Sequence, residues 1–298
     1  MSKRGEQQTG NRTVTEAPCE VWGVLNVTPD SFSDGGRFLD PGVAVARAER
    51  MLEEGADVLD IGGASSRPAG VAYGAGASAV SPEDETARVL PVIQAIKQRL
   101  PATRLSIDTT QAAVARRAVA AGVEVVNDVS CATVPELLQV VAETGADYVL
   151  MHNRGTGQVI NENVQYGDVV KDVCQELQVA PGRVLAAGVA PERVWLDPGL
   201  GFAKTAAQSL EVLAATERLS DMGYPVLVGP SRKGFLAVYG TPEGRELPPP
   251  AARLGGTISA TTAAALWGAR AVRVHDVQPT VQAVRLAAAL RRVRRGGP

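Results

Sequence analysis

From residue 21 onward the chain alternates between two hydrophobic patterns. The first is a short run of β-branched and aliphatic residues: VWGVLNV (21–27), DVLDIG (57–62), RLSID (104–108), VEVVND (123–128), DYVLM (147–151), RVWLD (193–197), PVLVG (225–229) and AVRVH (271–275). Near-continuous apolar runs of this kind read as strands covered on both faces. The second pattern is a longer Ala-, Leu- and Glu-rich segment with helix punctuation. Residues 41–55 carry Pro41 near the first turn and stop at Gly55, the usual asymmetry of helix ends. Residues 81–100 open on Ser81 as N-cap, with acidic residues in the first turn. Segments 111–122 and 134–145 end on Gly122 and Gly145, and the last helix is predicted over 279–296. Between 168 and 191, Pro181 and Gly182 interrupt the helical pattern, so a break is predicted there with a second helix starting at Pro181.

Eight strand–helix alternations predict a single α/β domain, a (β/α)₈ TIM barrel. A doubly wound open sheet is the rival. The eight units and the absence of G-x-G-x-x-G favour the barrel. Residues 1–20 are polar and are expected to be a disordered lead-in, with the barrel domain over 21–298. The Pro-rich stretch TPEGRELPPP (241–250) reads as an exposed loop within one βα unit.

Composition narrows the function classes. The chain has 298 residues, 45% of them hydrophobic and 21% charged, as in ordinary globular proteins. Its 30 basic and 32 acidic residues leave a net charge of −2, which argues against nucleic acid as partner. The basic RRVRR near the end reads as a solvated helix terminus. Three cysteines without C-x-x-C spacing form neither a disulfide framework nor a zinc knuckle, which points to a cytoplasmic protein. Two histidines exclude a three-histidine zinc site. No run approaches the roughly 18 apolar residues of a membrane span, so no membrane partner is expected.

The working face of such a barrel is the C-terminal end of its strands. Every predicted strand ends there in polar residues: Asn26; Asp60 and the loop SSRP; Asp108; Asn127 and Asp128; His152; Asp197; Ser231, Arg232 and Lys233; Arg273 and His275. Each alone has a plainer reading. Asp108 could cap a helix; Asn127 and Asp128 could form a turn; the glycines of DPGLGF could serve only a tight turn; Asp60 could support its neighbours; Arg232 and Arg273 could make structural ion pairs. As a set they point to a site.

Charge divides that rim. Asp108, Asn127 and Asp197 can accept hydrogen bonds from a flat, donor-rich heterocycle with a guanidine-like edge. Met151 and Phe202 could wall such a pocket, although Met151 equally suits core packing. Arg232, Lys233, Arg273 and His275 follow strands seven and eight, where barrels often bind phosphate. A helix beginning near KGFLAVYG would add N–H groups for an anion. The loops TPDSFSDGG and SSRPAGVAYGAG have the length and glycine content of mobile lids. No pair of residues resembles an activated nucleophile. The pattern suits a substitution in which the leaving group does the work.

Taken together, GVLNVTPDSFSDGG, DVLDIGGASSRP, SIDT, NDVS, LMH, LDPGLGF, LVGPSRKGFL and RVHDV, in this order, resemble the dihydropteroate synthase family, the folate-pathway enzymes that sulfonamides inhibit. The resemblance runs from about residue 21 to the C-terminus. It implies condensation of 6-hydroxymethyl-7,8-dihydropterin diphosphate with 4-aminobenzoate, with loss of pyrophosphate, in a Mg²⁺-dependent homodimer. By position it implies that Asn26 holds metal and diphosphate, that Asp108, Asn127, Asp197 and Lys233 contact the pterin, and that Arg273 and His275 contact the diphosphate. Met151 and Phe202 beside the pterin, and Ser231 and Arg232 beside the diphosphate, rest on their places at the strand ends. Ser66, Arg67 and Pro68 match the second mobile loop, while Phe32, Asp34 and Phe202 match positions near the aminobenzoate. Lys233, Arg273, His275 and Asp108 would be the catalytic set.

Three features depart from the family pattern. Ala64-Ser65-Ser66-Arg67-Pro68 replaces Glu-Ser-Thr-Arg-Pro, the loop after Pro68 is longer than the shortest versions, and Gly234 follows Lys233 where many members carry a side chain. Two rival functions are a pterin-binding methyltransferase module and a pterin-binding paralogue without catalysis. The first would not need SRK and RVHD together with the long first loop.

Overall fold

A computed structural model describes residues 18–28, 41–64, 80–154, 164–294 and 296. The expected lead-in up to residue 17, most of the first loop with Phe32 and Asp34, and the second loop with Ser66, Arg67 and Pro68 lie outside the described residues.

Eight parallel strands appear where the apolar runs predicted them: β1 (Glu20–Asn26), β2 (Val58–Gly62), β3 (Arg104–Asp108), β4 (Val125–Asp128), β5 (Asp147–Met151), β6 (Val194–Asp197), β7 (Leu227–Val228) and β8 (Ala271–Val274). Their order is β6-β5-β4-β3-β2-β1-β8-β7. A parallel bridge between Leu196 and Val226 joins the ends and closes the barrel. Strand β7 keeps two residues of the five predicted, because Pro225 and Pro230 flank it and proline cannot donate to a ladder.

Helices cover the outside: α1 (Pro41–Glu53), α2 (Pro82–Arg99), α3 (Ala112–Ala120) and α4 (Pro135–Thr144) follow the first four strands. Ser81 Oγ caps α2 by accepting from the Asp84 amide at 3.0 Å. The break at Pro181 is present, separating α5 (Val169–Val179) from α6 (Pro181–Ala186). Helices α7 (Ala206–Ala214) and α8 (Thr216–Ser220) follow β6. Helices α9 (Gly234–Gly240) and α10 (Leu254–Leu266) bracket the exposed Pro-rich loop. The last helix, α11 (Val277–Arg294), starts two residues before Pro279. A first-turn proline lacks only an N–H that has no helical partner there. Among the described residues, no helix is long and apolar enough to cross a membrane.

Strand periodicity sorts the side chains into two populations. Outward residues such as Leu59, Ile61, Leu105, Ile107 and Leu150 pack beneath the helices in the main core. Inward residues Trp22, Val58, Val125, Val149, Trp195, Leu227 and Ala271 fill the barrel, with the two indole rings 5.4 Å apart. The same inward parity, carried through the strand register toward the C-terminal ends, presents Asn26, Asp60, Asp108, Asn127, Met151, Asp197 and Arg273. The apolar plug is the floor on which the polar residues stand.

Candidate active site

Arg273 of β8 reaches across the barrel mouth to two carboxylates. Its Nε donates to Asp60 Oδ2 at 2.5 Å and an Nη donates to Asp108 Oδ2 at 2.8 Å. Asn127 Nδ2 also approaches Asp60 Oδ2, at 3.4 Å. Asp60 is fully buried and supports both neighbours, as the plainer reading of it allowed. Asp108 does not cap α3, whose N-cap is Gln111. Burial raises the Asp108 carboxyl to about 7; Arg273 opposes this and the nearby Asp60 charge reinforces it. On Arg273, burial opposes the cation, but the two carboxylates outweigh it and hold the guanidinium charged.

Asp197 ends β6. Its Oδ1 accepts from the Gly199 amide at 2.7 Å. Burial raises its pKa, while Lys233 and then the Gly199 bond pull it back. Lys233 is the N-cap residue of α9. Its ammonium donates to the Leu200 carbonyl and sits 4.9 Å from the Phe202 ring centroid. Burial lowers its pKa to about 8, against the pull of Asp197. Phe202 is half-buried and Met151 is buried.

Ser231 holds His275. Its Oγ accepts from the His275 backbone amide at 3.2 Å and lies 3.0 Å from Nδ1. The hydroxyl can serve the ring nitrogen as donor or as acceptor, so this contact fixes the position of the imidazole. Arg232 has a left-handed backbone, φ 60°, and closes its fork on Asp276, Nε to Oδ2 at 3.0 Å and Nη to Oδ1 at 2.7 Å. Both arginines thus make ion pairs. That of Arg273 is built into the site, whereas that of Arg232 links the β7–α9 turn to the start of α11. Asn26 is half-buried at the rim, and a methyl placed on Gly62 would lie 3.4 Å from its Oδ1 and 3.8 Å from Asp108 Cβ.

A family model described as "Pterin binding enzyme" matches residues 22–275. The chain belongs to the pterin binding enzyme family. It is 43% identical to the dihydropteroate synthase of Synechocystis sp. over 91% of this chain and 89% of the relative. A Yersinia pestis dihydropteroate synthase, solved with a sulfonamide drug complex, superposes with a TM-score of 0.83 at 37% identity, covering 95% of this chain and 98% of that one. The Xanthomonas albilineans dihydropteroate synthase in complex with 7,8-dihydropteroate gives a TM-score of 0.78 at 39% identity, covering 93% and 95%.

For a pterin-binding enzyme, two features of this mouth were missed in the sequence. Gly229, just after β7, has no side chain between three functional groups: a methyl there would lie 3.8 Å from Arg273 Cβ and 4.0 Å from both Asp197 Oδ2 and Lys233 Nζ. Its position two residues after the inward Leu227 was the available signal. The second is Lys204, 2% exposed, which reads in sequence as an ordinary residue at a helix start. Asp128, by contrast, faces outward. It accepts from the Ser130 amide at 2.7 Å, the Ser130 hydroxyl at 2.8 Å, the Ala132 amide at 3.1 Å and the Tyr148 hydroxyl. It stabilises a turn in which Cys131 and Ala132 are both left-handed. Burial raises the pKa of all three thiols, Cys19 to about 12. Each shift favours the thiol over the nucleophilic thiolate.

Proposed function

We propose that this chain condenses 6-hydroxymethyl-7,8-dihydropterin diphosphate with 4-aminobenzoate to give 7,8-dihydropteroate and pyrophosphate, a transferase step of folate synthesis. The observation that carries this reading is the inward set Asp108, Asn127 and Asp197 at the strand ends, with Asp197, Lys233 and Arg273 converging on Gly229, in a chain 43% identical to a dihydropteroate synthase over 91% of its length. The aminopyrimidinone edge of a pterin is rich in donors, which the Asp197 carboxylate and the Asn127 amide oxygen accept; Lys233 donates to a pterin acceptor.

The protein's part is alignment and electrostatics. The aniline nitrogen of 4-aminobenzoate forms the new C–N bond to the pterin methylene. The C–O bond breaks, the diphosphate leaves with that electron pair, and the nitrogen gives up one proton. Arg273 and His275 stabilise the negative charge gathering on the departing oxygens. Holding amine and methylene in line replaces a bimolecular encounter.

Mg²⁺ is part of the proposal. Among the described residues, no group of three or more His, Cys, Asp or Glu could hold a metal. The Asn26 amide oxygen is a hard donor at the rim and suits an ion that takes its other ligands from diphosphate and water. Bound there, the ion would supply charge neutralisation of the leaving group.

A cytoplasmic homodimer is also proposed. Support for the dimer comes from α11, where Leu286, Leu290 and Val293 form a stripe on the face opposite the core, 62%, 46% and 68% exposed.

Pyrophosphate release from the pterin diphosphate, with and without 4-aminobenzoate and Mg²⁺, tests the function. Release that depends on both supports condensation. No release under any condition overturns it.

A further inference from the structure

The loop from Asp197 to Lys204 forms one wall of the pterin pocket, and its conformation is costly. Gly199, Gly201 and Ala203 all have positive φ, 65°, 77° and 49°, and a non-glycine residue in that region carries strain. The loop contains no regular secondary structure. What holds it is the buried side-chain amine of Lys204, whose pKa burial lowers to about 7 against the pull of Asp197.

Lys204 Nζ lies 3.1 Å from the Gly199 carbonyl, 3.1 Å from the Phe202 carbonyl and 2.9 Å from His152 Nδ1. Three acceptors match the three donors of an ammonium. The third is on the scaffold: His152 follows β5 and is fully buried. Its backbone amide donates to the Asp197 carbonyl at 2.8 Å, and its Nε2 lies 3.0 Å from Glu176 Oε2. Glu176 in turn is paired with Arg154. Because Nε2 faces the Glu176 carboxylate, the imidazole proton sits on Nε2 and leaves Nδ1 as the acceptor for Lys204. Burial, then Lys204, hold the His152 pKa down to about 4, so the ring is a neutral acceptor. Glu176 is a carboxylate, its pKa lowered to about 2 by the His152 bond and by Arg154 against burial. It can only accept, so the opposite tautomer would leave Nε2 without a donor. The chain Arg154–Glu176–His152–Lys204 is thus polarised in one direction, from a half-buried ion pair to the pocket loop.

We propose that Lys204 is a positioning residue for the pterin: anchored on His152, it fixes the carbonyls of Gly199 and Phe202 and so sets the wall that Asp197, Phe202 and the Lys233-bound Leu200 carbonyl present to the ring. Lys204 touches no reacting atom. It acts through the loop, and in its ammonium form it adds to the pull of Lys233 that favours the Asp197 carboxylate against burial. The role rests on the condensation reading for its substrate, and pterin binding alone tests it separately.

The test uses Lys204→Met, which keeps the stem and removes the charge, and His152→Leu, which removes the scaffold acceptor. Steady-state kinetics in each substrate are paired with calorimetric binding of the pterin diphosphate without 4-aminobenzoate. In folded Lys204→Met protein, pterin KM and Kd rise about tenfold or more while the 4-aminobenzoate KM stays within about twofold. His152→Leu shows the same selective rise. Should Lys204→Met fail to fold, His152→Leu decides alone. An unchanged pterin Kd in a folded variant, or equal rises in both KM values, overturns the assignment. Wild-type protein that binds the pterin diphosphate but releases no pyrophosphate would sink the condensation reading and leave this one measurable by Kd.

Discussion

One guanidinium between two buried carboxylates defines the chemistry at the residue scale. Arg273 pairs with Asp60 and Asp108 together, so removing it would leave both buried carboxyls without their ion-pair partner. Breaking a buried pair from one side costs about 3–5 kcal/mol. Arg273→Ala is therefore expected to lower the thermal midpoint as well as abolish turnover, and calorimetry beside an activity assay separates the two losses. Asp197→Ala and Lys233→Ala each remove a contact proposed for the pterin. Each should cut kcat/KM by about 100-fold or more, and full activity in either would remove that residue from the site. Lys233 also gives the site a pH edge. Burial brings its pKa down to about 8, and the donor is its ammonium form. Affinity for the pterin diphosphate is thus complete below that pH and falls as pH rises through it, by about tenfold per unit. A Kd for the pterin diphosphate that is flat from pH 7 to 9.5 would refute the assignment.

At the scale of elements, two glycines in neighbouring strand ends do opposite things. Gly199 has φ 65°, and a methyl on it would overlap the His152 carbonyl. Gly199→Ala should destabilise the protein by about 2 kcal/mol or more, seen in denaturant unfolding. Gly229 has no such backbone demand, and its methyl would meet only ordinary contacts at 3.8–4.0 Å. Gly229→Ala should leave the unfolding midpoint nearly unchanged while raising the pterin Kd about tenfold or more. The adjacent pair Asn127 and Asp128 separates the same way, since period two turns one into the barrel and the other out. Tyr148→Phe removes one of four donors to Asp128 and should cost about 1–2 kcal/mol of stability with no change in either KM.

The whole molecule is a closed barrel whose last helix carries an apolar stripe facing outward. Leu286→Lys with Leu290→Lys is the matching test. Light scattering should report a dimer for the wild type and a monomer for the double variant; a wild type that is already monomeric discards the proposed dimer.

Much of this was legible before any fold was known. The apolar runs named all eight strands, because a strand buried on both faces must be apolar along its length. Pro181 located the split between α5 and α6, because a proline that deep in a helix removes a hydrogen bond and clashes with the preceding turn. Polar residues at the strand ends, from Asn26 to His275, marked the working face as a set, although single members such as Asp128 and Arg232 serve a turn and an ion pair. The chain by itself therefore determined the architecture and the rim.

Tertiary structure decided which rim residues act together. Asp108 and Asp60 are recruited by Arg273 from five and six strands later in sequence, and Arg232 is taken by Asp276. No local pattern encodes such partners, since ion pairing depends on distance across the barrel. Lys204 and Gly229 were silent for a related reason. A buried lysine is written with the same letter as a solvated one, and an absent side chain matters only when three others converge on the space it leaves.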